Sequence, residues 1–138
     1  MKNVILFVAI AFSLGIKINA QVAVIANKSV SESSISVDKA SDIYTSKDKN
    51  WGNGTKIVRF TLKSEDVNSN KFFGAIGKTY ADLKKVWMKL QLTGEGQAPE
   101  ALGADDEIIN KVASTPGAIG FVNAGKVSDK VKVLLTIN

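Results

Sequence analysis

The stretch best suited to chemistry is KSEDVNSNKFF, Lys63 to Phe73. Polar residues with short side chains lead there from a β-rich run into an apolar helical stripe. A helix start carries free backbone N–H groups and the positive end of the helix dipole, so it attracts anions. Asn68, Ser69 and Asn70 add side-chain donors and Lys63 a charge. These four are the candidate ligand-binding residues, with an anion as the ligand class. Two facts pull the other way. Ser, Asn and Asp are ordinary helix caps, and Glu65 and Asp66 beside them repel an anion.

Other chemistry has little to stand on. The chain of 138 residues has no His and no Cys, which removes the usual zinc ligands and the commonest general base. No Gly-rich phosphate loop, Gly-x-Ser-x-Gly elbow or metal-ligand spacing is present, so the expectation is no enzyme, no metal and no cofactor. NKS at Asn27 and NGT at Asn53 are glycosylation sequons by pattern. Trp51, in a polar loop, is a stacking platform or a hydrophobic plug, and its large apolar surface favours the plug. Trp87 lies on a helical stripe and belongs to the core.

The elements that must position these residues alternate. QVAVIAN (Gln21 to Asn27) is a short, β-branched, buried strand. Ser36 caps a helix with Val37, Ala40, Ile43 and Tyr44 on one face. KIVRFTL (Lys56 to Leu62) is a second strand. Phe72, Phe73 and Ile76 face inward from the next helix, which Gly77 stops. Thr79, with Asp82 three residues on, opens another helix; Tyr80, Leu83, Val86, Trp87 and Leu90 form its stripe. TGEGQAPEALG is a connector. Asp105 caps a helix running through Val112, whose acidic first turn suits the dipole. GAIGFV and DKVKVLLTI close the chain as strands. The order β-α-β-α-α-α-β-β favours an α/β layered sheet.

The first twenty residues read separately. Lys2, an apolar run from Val4 to Leu14 and INA before Gln21 have the layout of a secretory signal peptide cleaved after Ala20. A retained anchor is the alternative; a spanning helix needs about 20 apolar residues. The expected domains are residues 1–20 as signal peptide and 21–138 as one domain, in the periplasm or secreted. Without Lys2 and Lys17, sixteen basic residues stand against thirteen acidic ones, a net charge of +3. The lysines are scattered, so nucleic acid is not an expected partner and a membrane enters only through partners. With no disulfide available, the domain stands on its core.

Two motifs together resemble a known family. DIYTSKDKNWGNGTKI (Asp42 to Ile57) and VASTPGAIGFV (Val112 to Val122) resemble matching segments of phosphate ABC transporter substrate-binding proteins, and the likeness runs over Gln21 to Leu135. The resemblance implies an α/β fold: a single lobe of a type II periplasmic-binding-protein-like fold, with a mixed β-sheet and helices packed on it. That family grips phosphate with an Arg-x-Asp-x-Ser-Gly-Thr loop between strand and helix. Here Lys63 stands near the Arg position, Ser69 near the Ser and Asn70 near the Thr. The glycine has no counterpart, and lysine gives a point charge where arginine gives a flat fork.

Two lobes need about twice this length, so the resemblance implies half a cleft. The expected function is that of an exported single-lobe solute-binding-like protein. It binds phosphate or a related oxyanion weakly, or as part of a larger assembly with an ABC transporter permease or a second copy of itself. The alternative is an extracytoplasmic scaffold or protein-interaction module that has lost ligand binding.

Overall fold

A computed structural model describes residues 21–138; the expected signal peptide lies outside the described residues. Five strands form one mixed sheet: β1 (Val22–Ala26), β2 (Val58–Leu62), β3 (Glu100–Leu102), β4 (Ala118–Asn123) and β5 (Lys132–Ile137), in the spatial order β3-β2-β4-β1-β5. β1 lies antiparallel between β4 and β5, with Val24 opposite Phe121 on one side and Leu135 on the other. β2 pairs in parallel with β3 and with β4. All five residues of β1 are buried, as an interior strand covered on both faces requires.

Four helices cover the sheet: α1 (Val37–Tyr44), α2 (Val67–Ala75), α3 (Tyr80–Thr93) and α4 (Asp105–Ser114). Adjacent residues of β4 show the two faces. Gly120 lies under Ile108 and Val112 of α4, where a Cβ would come within 2.7 Å of the Ile108 methyl. Phe121 points the other way, stacked on Phe72 of α2 at 4.3 Å and edge-on to Tyr44 of α1 at 5.9 Å. Phe73, Tyr80 and Trp87 continue this aromatic chain into α3. Such ring pairs add to the burial that drives folding without disulfides.

The caps follow local sequence closely. Ser36 accepts from the Lys39 N–H at the start of α1. Thr79 and Asp82 form a reciprocal capping box on α3. Gly77, at φ +73°, ends α2 in a Schellman turn, with Gly77 N–H on Gly74 O and Lys78 N–H on Phe73 O. Trp51 is a plug: it is buried, and its indole N–H donates to Gly117 O at 2.8 Å. Trp87 is core, donating to Tyr44 O at 2.8 Å.

Three details differ from expectation. Glu100–Leu102, expected as part of a connector, is the edge strand β3; three residues are too few to show a period, and pairing with β2 makes them a strand. The second strand begins at Val58, because Lys56 instead bridges Asn50 across the preceding loop. Asp105 is not the cap of α4. Ala104 holds that position with no side-chain bond, and the Asp105 carboxylate accepts from Asn123 N–H at 3.1 Å, tying the helix start to the end of β4.

Candidate functional site

In an open α/β sheet, ligands favour the carboxyl ends of the strands where the strand order reverses. Here β2 has β3 on one side and β4 on the other. The reversal therefore lies at β2, and the segment leaving its carboxyl end is Lys63–Asn70. The first turn of α4 and the short turn Asn123–Lys126 follow the ends of the two neighbouring strands.

The loop after β2 is held from three directions. Lys63 N–H donates to Leu102 O at 2.8 Å, joining it to the end of β3. The Tyr80 hydroxyl donates to Lys63 O at 3.3 Å from α3. Asp66 caps α2, its carboxylate accepting from Ser69 N–H at 2.7 Å. One of the free N–H groups of this helix start is thus already matched by an anion from the chain itself.

The four candidate residues are brought to one helix start but do not converge. Ser69 is fully buried, and its hydroxyl donates to Ser64 O at 3.3 Å. Lys63 and Asn70 are exposed and Asn68 is half-buried. At about 100° per residue, Asn68 and Asn70 flank the inward-facing Ser69 on opposite sides of the helix. The donors free to meet a ligand are therefore the Lys63 ammonium and the two Asn amides, around a first turn whose N3 amide is taken.

The same pattern recurs at α4. Its first turn carries Asp105, Asp106 and Glu107, and Glu107 accepts from Gly103 N–H at 3.2 Å. Both helix starts at this end of the sheet therefore carry their own carboxylates. No group of three or more His, Cys, Asp or Glu side chains able to hold a metal occurs among the described residues.

A cavity of about 980 Å³ lies elsewhere, at the amino ends of β2 and β3, with Lys49, Lys56 and Arg59 among its walls. Arg59 is half-buried, and burial holds its guanidinium below its ordinary pKa. It donates to Tyr44 O and Gln97 O, while Lys49 donates to Glu95 O at 2.6 Å. Arg59 and Lys49 thereby tie the connector after α3 to β2 and to the loop before it. Sequence reading missed this role, although Arg59 is the chain's sole arginine; a partner in a connector offers no local signal.

Asn27, at the end of the first expected strand and in a sequon by pattern, has a third role in the structure. It is buried, and its amide donates to Val112 O at 2.8 Å and Ala113 O at 3.0 Å. A nitrogen committed there has no room for a glycan. At Tyr44 the hydroxyl donates to Phe60 O, and burial drives its pKa well above the usual phenol range. It is a structural group.

No family model matches the chain, and no curated protein sequence matches it. Solved structures do. A proposed phosphate ABC transporter substrate-binding protein from Clostridium perfringens, with bound phosphate, aligns at TM-score 0.64 and 21% identity over 83% of this chain and 45% of its own. An ABC-type phosphate transport receptor from Vibrio cholerae aligns at TM-score 0.66 and 18% identity, over 83% of this chain and 46% of its own. PstS from Borrelia burgdorferi aligns at 0.60 and 19% identity, over 83% and 47%. The chain thus spans less than half the length of each. The likeness establishes the fold: an α/β lobe of the phosphate-binding-protein type, with a mixed sheet and helices on both faces.

Proposed function

We propose that this protein is an exported solute-binding lobe associated with phosphate ABC transport, which engages phosphate or a related oxyanion weakly at the start of α2. One observation carries this reading. The Lys63–Asn70 segment leaves the carboxyl end of β2 at the strand-order reversal, in a lobe whose fold is that of phosphate transport proteins. Lys63 supplies charge, and Asn68 and Asn70 supply amide donors. Ser69, buried with its N–H on Asp66 and its hydroxyl on Ser64 O, joins them only where the ligand displaces the Asp66 carboxylate. Another body, an ABC transporter permease or a second copy, completes the cleft, since a bound small molecule usually buries most of its surface.

Export rests on the leader-like residues 1–20; among the described residues no helix is long and apolar enough to cross a membrane. The reading contains no catalytic step, and turnover of generic phosphatase or esterase substrates would overturn that part of it.

The Asp66–Ser69 contact favours a second reading, an extracytoplasmic scaffold without a ligand. Calorimetry with millimolar phosphate, sulfate and molybdate at low salt separates the two; no heat with any of them sinks the oxyanion reading. Asp66→Asn sharpens the test. Asparagine caps about as well as aspartate, so the helix start survives while the competing charge goes. Phosphate affinity should then rise several-fold, by the cost of about 1 kcal/mol that a nearby like charge imposes in water. An unchanged affinity would place binding away from α2.

A further inference from the structure

The cavity of about 980 Å³ lies at the amino ends of β2 and β3, whereas α2 starts beyond the carboxyl end of β2. We propose that this cavity is a second ligand site, which takes a small organic anion: a molecule with a carboxylate or phosphate group that also carries hydroxyls. The proposal is independent of anion binding at α2, since the five residues of β2 separate the two places by about 15 Å.

Three observations carry it. The first is a set of cations without counter-ions. Lys49, Lys56 and Arg59 all line the cavity, and among the described residues none of them is in an ion pair with a carboxylate. Two of the five N–H groups of Arg59 go to Tyr44 O and Gln97 O, and three remain. Lys49 gives one of its three to Glu95 O. Tyr44 is the last residue of α1, so its carbonyl stands at the negative end of a helix dipole, which offsets about half a charge. What is left is a half-buried guanidinium without a matching anion, and burial already lowers its pKa. Buried charges are normally paired.

The second is the state of the acids on the same walls, Asp48, Glu95 and Glu100. Asp48 pairs with Lys39 at 2.7 Å, and Glu100 with Lys111 at 3.9 Å. Neither of those lysines lines the cavity, so both carboxylates are matched from outside it. Against three cations one acid, Glu95, stays without an ion pair, and the excess is positive.

The third is backbone strain. Helix α1 ends in a Schellman turn, with Ser46 N–H on Ile43 O and Lys47 N–H on Asp42 O. Ser46 is left-handed there, at φ +61°, the only non-glycine residue with positive φ among those described. The ends of α2 and α3 use Gly77 and Gly94, both at φ +73°. A side chain in this position costs stability that glycine would spare, and such strain gathers at ligand sites. Ser46 is half-buried and lines the cavity, where its hydroxyl can meet a ligand.

Size sets the rest of the class. Pockets of several hundred Å³ and more take drug-sized molecules, so a bare oxyanion fills only a fraction of this one. The side-chain amides of Gln91 and Gln97 add donors and acceptors suited to hydroxyl groups. A guanidinium matches carboxylate and phosphate alike, and the test separates the two.

The test is NMR titration of the isotope-labelled full chain with citrate and with adenosine monophosphate, using adenosine as the neutral control. At least one anion, at millimolar concentration or below, should move the amides of Ser46, Gly94, Gly96 and Gln97 and leave those of Val67 to Asn70 in place; which one does so names the charged group. Adenosine should move none of them. Lys56→Gln removes an exposed charge and should weaken binding several-fold. Ser46→Gly should raise the melting temperature by a few degrees and also weaken binding several-fold; a Ser46 that only ends the helix would show the first effect without the second. No shifts with either anion, equal shifts with adenosine, shifts confined to the start of α2, or unchanged binding by Lys56→Gln and Ser46→Gly would each overturn the proposal.

Discussion

Gly117 has a left-handed backbone, φ +76°, and a Cβ added there would overlap the Lys56 carbonyl oxygen. Its own carbonyl accepts from both the Trp51 indole and Val58 N–H, and its N–H donates to the Ser29 hydroxyl. Four segments meet at this one residue. Gly117→Ala therefore combines backbone strain with a clash that no rotamer relieves, and should cost about 2–4 kcal/mol, read from the urea midpoint. Thr61→Val runs the other way. It replaces a buried hydroxyl without a partner by a methyl of the same shape, so the free protein should gain about 1 kcal/mol; a loss would mean that the hydroxyl is satisfied in solution. The Pro-Gly turn was legible in the sequence, because proline stops a helix and glycine permits the reversal. That Lys56 and Trp51 close over it was not, since both lie some sixty residues away. Ser69 is the more instructive case. Extending the stripe of Phe72, Phe73 and Ile76 one turn back places Ser69 on the buried face. The inward turn of that hydroxyl was available to periodicity, and the attraction of a polar cluster concealed it.

Helix ends show what local sequence can and cannot specify. The capping box of α3 needs only Thr79 and Asp82, so it was readable, and it makes a pH prediction. Hydrogen bonds from the Thr79 backbone and hydroxyl hold the exposed Asp82 carboxyl below its ordinary pKa. A depressed carboxylate stabilises the fold above its unfolded pKa of about 3.9, and that contribution is lost as pH falls through the lower folded value. Carboxyl NMR should find Asp82 titrating below the ordinary range, and Thr79→Val should return it toward that range; no movement would mean that the box is open in solution. The end of α4 is closed by a residue from another element. Asn27 reaches across from the end of β1 to the last carbonyls of the helix, and Ser29 N–H donates to its Oδ1 at 2.9 Å. Asn27→Ala leaves those carbonyls unmatched and should cost about 2–3 kcal/mol by chemical denaturation; Asn27→Asp should cost at least as much, because it turns a carboxylate onto carbonyl oxygens. Nothing adjacent to Asn27 announces this role, and β3 was hidden for the same reason, being a strand only through its pairing with β2.

The whole molecule presents a charge problem at the face proposed for ligand. The loop before α2 and the first turn of α4 bring Glu65, Asp66, Asp105, Asp106 and Glu107 to the carboxyl-end rim, with Lys63 and Lys126 in opposition. Helix α3 is positive instead, with Lys84, Lys85 and Lys89 against Asp82. A small anion needs a second surface to shield it from water, and a copy of this lobe brings the same carboxylates into apposition. Like charges facing across an interface are unfavourable by several kcal/mol, more than one shared phosphate returns at a rim already lined with carboxylates. The cover for this half-cleft is therefore expected to be a different, more basic body. Light scattering should give the mass of one chain both without and with millimolar phosphate, at a protein concentration well above micromolar. A mass that doubles on adding phosphate would show that two copies close over the anion despite the repulsion, and raising the salt should then strengthen the pair by screening the rim.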